Sequence, residues 1–325
     1  MSSAPIANQS DKDLAVTMLT VIIVSYNTRA MTLAALRTLF ATTKSTPFEV
    51  VVLDNASIDG SVEAIAEAFP QVRLIRSAEN LGFARANNTA AATAHSEWLL
   101  LLNPDTEVHE GAVDVLVAVG RGNPKAGIYG GRTVFPDGSL NIASCWNRIT
   151  PWSLFCSTTG LTAAFRDSPI FNPEAIGGWR RDSVRQVDIV VGCFLLIRTR
   201  LWNDLGGFDL RYFMYGEEAD LCLRAARMGY RPMITPAAQI MHVVGAASAT
   251  RTDKLLLLAK ARVTLVRDHW VRWQVPFGIA MIWAWVAFRQ IAAGALALRG
   301  RQRDRDRARL WSEIWAQRAD WLRGY

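Results

Sequence analysis

The segment FMYGEEADLCLR, Phe213 to Arg224, sets three carboxylates (Glu217, Glu218 and Asp220) within four positions, directly behind the aromatic run Tyr212 to Tyr215. Acids at this density either open a helix, where negative charge meets the positive end of the macrodipole, or take a proton in a reaction. Asp220 also stands four residues before Arg224, the spacing of an i,i+4 helical ion pair. Two further stretches carry chemistry. LLLLNPDTEV ends an apolar run in Asn103-Pro104-Asp105, and QIMHVVG places His242 behind another. An aspartate at a strand end is a hard oxygen ligand suited to Mg²⁺ or Mn²⁺, although the same residue can simply turn or cap the chain. A lone histidine after apolar residues is as readily a structural group as a ligand. VVLDNAS presents Asp54-Asn55 in the same strand-end setting.

The elements that must position these groups are legible. LTVIIVSYN, Leu19 to Asn27, is a continuous β-branched run, as in a strand buried on both faces. TRAMTLAALRTLFATT has helical periodicity, with Met31, Leu33, Leu36, Leu39 and Phe40 on one broad face. FEVVVLDNAS, VRLIRSAEN and EWLLLLNPDTEV read as further strands, VEAIAEAF and ARANNTAAATA as the helices between them. This alternation predicts a doubly wound α/β sheet. Ligands of such sheets bind beyond the carboxyl ends of the strands, so Ser25-Tyr26-Asn27, Asp54-Asn55 and Asn103-Pro104-Asp105 are expected to face one crevice. Neither G-x-G-x-x-G after the first strand nor G-x-x-x-x-G-K-[ST] is present. Phosphate must then be held by something else, and a metal ion is the first candidate.

Beyond Phe135 the chain turns irregular, rich in Pro, Gly, Ser and Trp to about Gln186, and is expected to form substrate-facing loops. VDIVVGCFLLIRTR gives another strand, interrupted by Gly192, a residue that often marks close approach of a ligand. ADLCLRAARMGY is expected to be helical and to end at Gly229. After Arg251 the composition shifts to tryptophans, the apolar run VPFGIAMIWAWVAF (Val275 to Phe288) and the arginine block RGRQRDRDRAR. The run is shorter than a membrane span needs; extended to Leu298 it is long enough but takes in Arg289 and Gln290. The pattern favours an interfacial or hairpin-like membrane helix pair over a true span, against a soluble helical cap packed on the core. The expected organisation is a loose N-terminal tail over 1–17, a catalytic domain over 18–250 and a membrane-associated helical segment over 251–325. The net charge of +7 favours anionic partners. Basic residues do not interleave with aromatics in a stacking pattern, so nucleic acid is not expected. Four widely spaced cysteines without C-x-x-C, and a polar N-terminus without signal-peptide character, predict a cytoplasmic protein with reduced thiols.

The succession VIIVSYN, VVLDNASIDGS, ENLGFARANN, LLLNPDT, VGCFLLIRTRLWNDLGGFD, FMYGEEADLCLR and H-x-x-G-x-x-S resembles glycosyltransferase family 2, inverting nucleotide-sugar transferases of GT-A fold, and looks most like its rhamnosyltransferase-like branch. The resemblance runs from Leu19 to Ser248. It implies a Rossmann-like mixed sheet with flanking helices, followed here by the C-terminal helical segment. It also implies that Ser25, Tyr26 and Asn27 line the nucleotide pocket, with Asp54 on the pyrimidine base and Asn55 supporting the turn. Asn80, Gly82, Arg85 and Asn88 would form the next wall. Asn103 and Asp105 match the family's D-x-D position, Asn103 reaching the ribose and Asp105 binding Mg²⁺ or Mn²⁺, with His242 as a further ligand to metal or diphosphate. Gly192 would lie near the donor sugar. In the E-[DE]-x-D motif Glu218 would be the general base and Glu217 its support. The donor implied is dTDP-rhamnose, or another dTDP- or UDP-linked sugar such as a UDP-hexose or UDP-galactofuranose. The acceptor would be a glycan or lipid-linked glycan, met at the inner face of the cytoplasmic membrane. The rival readings are a nucleotide-dependent oxidoreductase, which the missing glycine motif opposes, and a non-catalytic glycan-binding protein.

Overall fold

The computed structural model describes residues 17–243 and 251–325. Most of the expected tail lies outside the described residues, as do Gly245 and Ser248 of the His242 loop. From its start the chain alternates β1 (Leu19–Ser25), α1 (Arg29–Thr42), β2 (Phe48–Asp54), α2 (Ser61–Ala68), β3 (Arg73–Arg76), α3 (Gly82–Ala91) and β4 (Trp98–Leu102). Next come β5 (Thr106–Val108), α4 (Ala112–Gly122), β6 (Ile128–Val134), β7 (Leu140–Asn141), β8 (Cys145–Trp146), α5 (Pro151–Thr159) and α6 (Leu161–Ala164). They are followed by β9 (Arg185–Gln186), β10 (Ile189–Val190), β11 (Phe194–Arg198), α7 (Thr199–Leu205), α8 (Glu217–Arg227) and β12 (Met233–His242). The remainder is helical: α9 (Arg251–His269), α10 (Val275–Ala297), α11 (Gln302–Ala316) and α12 (Arg318–Trp321).

The main sheet runs β3-β2-β1-β4-β11-β6-β12-β5. Strands β3, β2, β1 and β4 are parallel, whereas β11 is antiparallel to β4 and to β6. The sheet is therefore mixed, unlike the wholly parallel arrangement that strand–helix alternation alone suggests. The reason is chain path: the excursion between β6 and β11 leaves and re-enters at the same sheet edge, with no crossover helix to return it to the other edge, so β11 must run backwards. β6 and β12, paired parallel to each other, again point the way of β4. The carboxyl ends of β1, β2, β4, β6 and β12 and the amino end of β11 consequently share one edge.

Alternate residues of the central strands feed two cores. Ile22, Val51, Leu99 and Leu195 pack with Ala84 and Ala90 of α3 and Leu221 and Ala225 of α8. Val21, Ile23 and Leu100 pack with Leu36 of α1 and Leu116 of α4 on the other face. A third cluster joins Leu154 of α5 to Val263, Ile282, Trp311 and Trp321 of the C-terminal helices. Ala261 and Leu265 of α9 belong to the first core, so the C-terminal segment shares the sheet's own interior. The region expected to be irregular contains a well-capped helix, α5: Thr150 and Ser153 form a reciprocal capping box around Pro151 at the first helical position.

Candidate active site

The ends of β1 and β2 make a rigid shelf. Asn27 and Ala56 take left-handed backbone conformations, φ 52° and 67°, which turn both segments sharply at the sheet edge. The turns are locked to each other: the Asn27 amide N–H donates to Ser57 Oγ at 2.9 Å, and Ile58 N–H donates to Asn27 Oδ1 at 2.9 Å. Asp54 is buried, and its Oδ2 accepts from Ser57 N–H at 3.0 Å while its Oδ1 has no partner. A buried carboxylate oxygen left unpaired is costly unless a ligand donor meets it. Tyr26 is 37% exposed at the mouth. Ser25 is fully buried, its hydroxyl bonded to Thr28 and Thr32 beneath the shelf, so only its backbone borders the pocket.

Asn55 ties the shelf to the next wall. Its Nδ2 donates to Asn80 Oδ1 at 2.8 Å and its Oδ1 accepts from Leu81 N–H at 2.8 Å. Gly82 opens α3 at φ 74°, and an added Cβ would fall 2.5 Å from the Phe213 carbonyl oxygen. Glycine is thus required for the acid loop to rest on α3. Arg85 is exposed on α3 with its guanidinium unbonded among the described residues. Asn88 is turned elsewhere: its amide accepts from Phe208 N–H at 2.9 Å and donates to Phe208 carbonyl at 2.8 Å, bracing the loop after α7.

At the end of β4, Asn103 N–H donates to the Cys193 carbonyl at 3.1 Å, and the Asn103 Oδ1 is buried without a partner. β5 folds back to pair with β12, placing Thr106 opposite His242. That register brings Asp105 Oδ1 within 3.3 Å of His242 Nε2, both side chains 8% exposed. Burial works against protonating the imidazole, but Asp105 and the neighbouring Cys193 overcome it and raise His242 to about 10. A divalent cation fits this pair in part, with one hard carboxylate and one imidazole. Among the described residues no group of three or more His, Cys, Asp or Glu could cage an ion. A cation held here must complete its shell with substrate oxygens and water, the habit of Mg²⁺ bound beside phosphates.

The three acids divide by position. Tyr215 and Gly216 lead into α8 at φ 70° and 95°, a turn that aims the helix N-terminus into the crevice. Glu217 is buried and Glu218 half-buried. Burial and the adjacent Glu218 push Glu217 well above the usual carboxylate range, and burial raises Glu218 as well. Asp220 faces away. It is buried, accepts from Arg224 Nε at 2.7 Å and from His269 Nε2 at 2.8 Å, and these partners outweigh its burial and hold its carboxyl below the ordinary value. Gly192 joins both halves of the site. A Cβ there would stand 4.0 Å from Glu218 Cβ and 3.2 Å from the Phe83 ring, while the next residue, Cys193, touches Asn103 and His242. The Glu217–Glu218 pair and the Asp105–His242 pair are therefore separated by two consecutive residues of one strand entrance. His269 and Phe83 are not legible from spacing; His269 lies 49 positions from its partner Asp220, with no local pattern linking them.

The mixed sheet with its flanking helices has the GT-A architecture of glycosyltransferases. A family profile described as Glycosyl transferase family 2 matches residues 20–187, and the chain belongs to that family. It is 28% identical over 285 residues, 78% of this chain and 82% of the relative, to an N-acetylglucosaminyl-diphospho-decaprenol L-rhamnosyltransferase of Mycobacterium tuberculosis. It is 28% identical over 211 residues, 63% of this chain and 16% of the relative, to the O-antigen biosynthesis protein RfbC of Myxococcus xanthus. Among solved structures it resembles the mannosyltransferase PcManGT of Pyrobaculum calidifontis in complex with GDP-Man and Mn²⁺, with TM-score 0.56 and 20% identity, covering 94% of this chain and 86% of that one. GalNAc-T7 with UDP, GalNAc and Mn²⁺ aligns with TM-score 0.58 and 15% identity over 84% of this chain and 52% of that one.

Proposed function

We propose that this glycosyltransferase moves L-rhamnose from dTDP-rhamnose, with inversion, to a hydroxyl of a lipid-linked glycan precursor, and that Glu218 is the general base. The observation that carries the reading is the placement of Glu218 beside Gly192, one residue from the Cys193 that borders Asn103 and His242. Two buried carboxyls side by side do not both ionise. Burial raises both carboxyls, so the pair holds one proton more readily than none, and Glu218 is taken as the member that accepts the acceptor's proton. As the acceptor oxygen attacks the sugar's anomeric carbon, its proton passes to Glu218 and the bond to the diphosphate breaks, the electron pair leaving with dTDP. Asp105, with His242 once its imidazole has given up its proton, would hold Mg²⁺ or Mn²⁺, which would neutralise charge developing on the leaving diphosphate. Asp54, through its free Oδ1, would accept from the pyrimidine N–H, and Arg85 is free to reach base or diphosphate. The rhamnosyl choice and the lipid-linked acceptor rest on the mycobacterial relative's described activity.

The C-terminal segment supports action at the inner membrane face. Phe277, Phe288 and Ile291 are 43%, 54% and 65% exposed and fall at helical spacing on one side of α10, with Leu298, 89% exposed, just past its end. Arg301 and, in α11, Arg303, Arg305, Arg307 and Arg309 are exposed. Arg272–Ala297 is long and apolar enough to cross a bilayer. Its other side packs against α5, α9 and α11, which favours lying on an anionic surface over crossing it. The test is a panel of nucleotide sugars with a short-chain polyprenyl diphosphate bearing N-acetylglucosamine, read as release of nucleoside diphosphate. Turnover of dTDP-rhamnose above UDP-linked donors is expected. Preference for a UDP-linked sugar overturns the rhamnosyl assignment, and absence of any divalent-dependent stabilisation by dTDP or UDP overturns the donor site.

A further inference from the structure

The C-terminal helices are fastened directly to the acid loop. Tyr325 donates its phenol proton to the Met214 carbonyl, and its ring packs on buried Tyr212 with centroids 5.2 Å apart. Helix α9 presents that ring. Tyr325 N–H donates to Thr264 Oγ1 at 2.8 Å, Arg267 donates to the Leu322 carbonyl at 2.9 Å, and Gly324 lies so close that a Cβ would come 2.5 Å from Thr264 Oγ1. The loop it touches needs such support. Tyr215 and Gly216 hold backbone that side-chain-bearing residues rarely adopt, a conformation that persists only where the surroundings over-determine it. On its far side Gly216 meets Ala261 of α9, whose Cβ would be 2.8 Å from an added one. Two residues past Glu218, Asp220 is gripped by His269 at the end of the same α9.

We propose that Tyr325 is a positioning residue for the catalytic base: it seals the buried side of the Glu217–Glu218 pair from water and pins the turn that aims it. The inference rests on Glu218 being the base. Among the described residues, Tyr325 from the terminal stretch and Cys222 one turn along α8 are ionisable groups that feel the pair's charge, and Tyr215 of the loop adjoins Tyr325. Tyr325 is itself raised by burial and by Glu217, so its phenol stays protonated and keeps donating to Met214. Removing the ring admits water to the pair, and carboxyls raised by burial then fall back toward ordinary values. The C-terminal segment therefore has a second role beyond lipid contact.

The test compares Tyr325→Phe, Tyr325→Ala and Thr264→Val with the intact chain, using dTDP-rhamnose and the short-chain N-acetylglucosamine acceptor. It reads kcat, donor KM, melting temperature and the acid limb of the kcat–pH profile. Tyr325→Ala is expected to lose about a hundredfold in kcat, the scale of misaligned reacting groups, with donor KM unchanged. Its acid limb should move down by about one pH unit as burial is relieved. Tyr325→Phe, which keeps the ring and loses only the hydrogen bond, should keep the limb in place and lose a few-fold in kcat. Thr264→Val, which frees the Tyr325 backbone, should shift the limb in the same direction as Tyr325→Ala and serves if that variant does not fold. A lowered melting temperature with an unmoved acid limb in both Tyr325→Ala and Thr264→Val overturns the proposal. Glu218→Gln run alongside separates the two readings. If it retains turnover, the base assignment fails; if it is inactive while the Tyr325 and Thr264 variants keep the original limb, only the positioning role fails.

Discussion

The crevice holds two side-chain pairs built on opposite electrostatics. Asp105 meets His242, a carboxylate against an imidazole whose protonated form it favours. Glu217 meets Glu218, two acids in a buried place where both resist ionisation. The first pair carries complementary charge that a cation and a diphosphate can replace, so it suits binding. The second is tuned toward holding and accepting a proton, so it suits chemistry. Asp220 is the control within the same motif. It is also buried, but its salt bridges to Arg224 and His269 hold it ionised and make it a fastener.

Substitutions can break this contrast. The largest effect is expected from Glu218→Gln: kcat should fall about 10³-fold, within the usual contribution of a general base, while calorimetry shows dTDP binding intact. Asp105→Asn should do the reverse, losing about a hundredfold in kcat/KM, the scale of a lost charge-stabilising group, together with the divalent-dependent part of dTDP binding. The third acid should separate from both. Asp220→Asn is expected to lower unfolding free energy by about 3 kcal/mol, the cost of breaking a buried ion pair, in denaturant melts at neutral pH. Since the folded state depresses the Asp220 pKa below its ordinary 3.8, that stabilisation is present above this value and disappears as pH falls through the lower folded one. The variant should thus match the intact chain only in strong acid. The activity profile falls in the same direction but at higher pH: the raised acid pair should cost turnover as pH drops toward a limb above the ordinary glutamate value of 4.5. The smallest effect is on the remote face. Ile291→Glu should weaken binding to anionic vesicles roughly tenfold by removing buried apolar area, measured by sedimentation, and leave turnover of a water-soluble acceptor unchanged.

Much of this site is legible in the order of residues. Apolar β-branched runs such as TVIIV and VVVL can be satisfied only between two covered faces, and a parallel strand ends where its apolar run ends. Asp54, Asn103 and Asp105 sit at such ends, and their convergence on one edge follows from the alternation of strand and helix. The helix dipole and the i,i+4 spacing likewise tell Asp220 and Arg224 apart from Glu217 and Glu218 before any coordinates. The capping box at Thr150 was equally local, although the Pro, Gly and Ser content of its surroundings hid it.

What the sequence determined by itself were the properties set by neighbours along the chain: burial period, strand ends, helix starts and the placing of acids at a helix N-terminus. Tertiary structure alone decided the reversed direction of β11, which sets Gly192 and Cys193 between the two pairs, and the turning of the Asn88 and Ser25 side chains away from the pocket. It also decided the grip of His269 and Tyr325 on the acid loop. These depend on which segments meet across long separations. Such meetings are chosen by the summed packing of whole elements rather than by any spacing a single stretch can display.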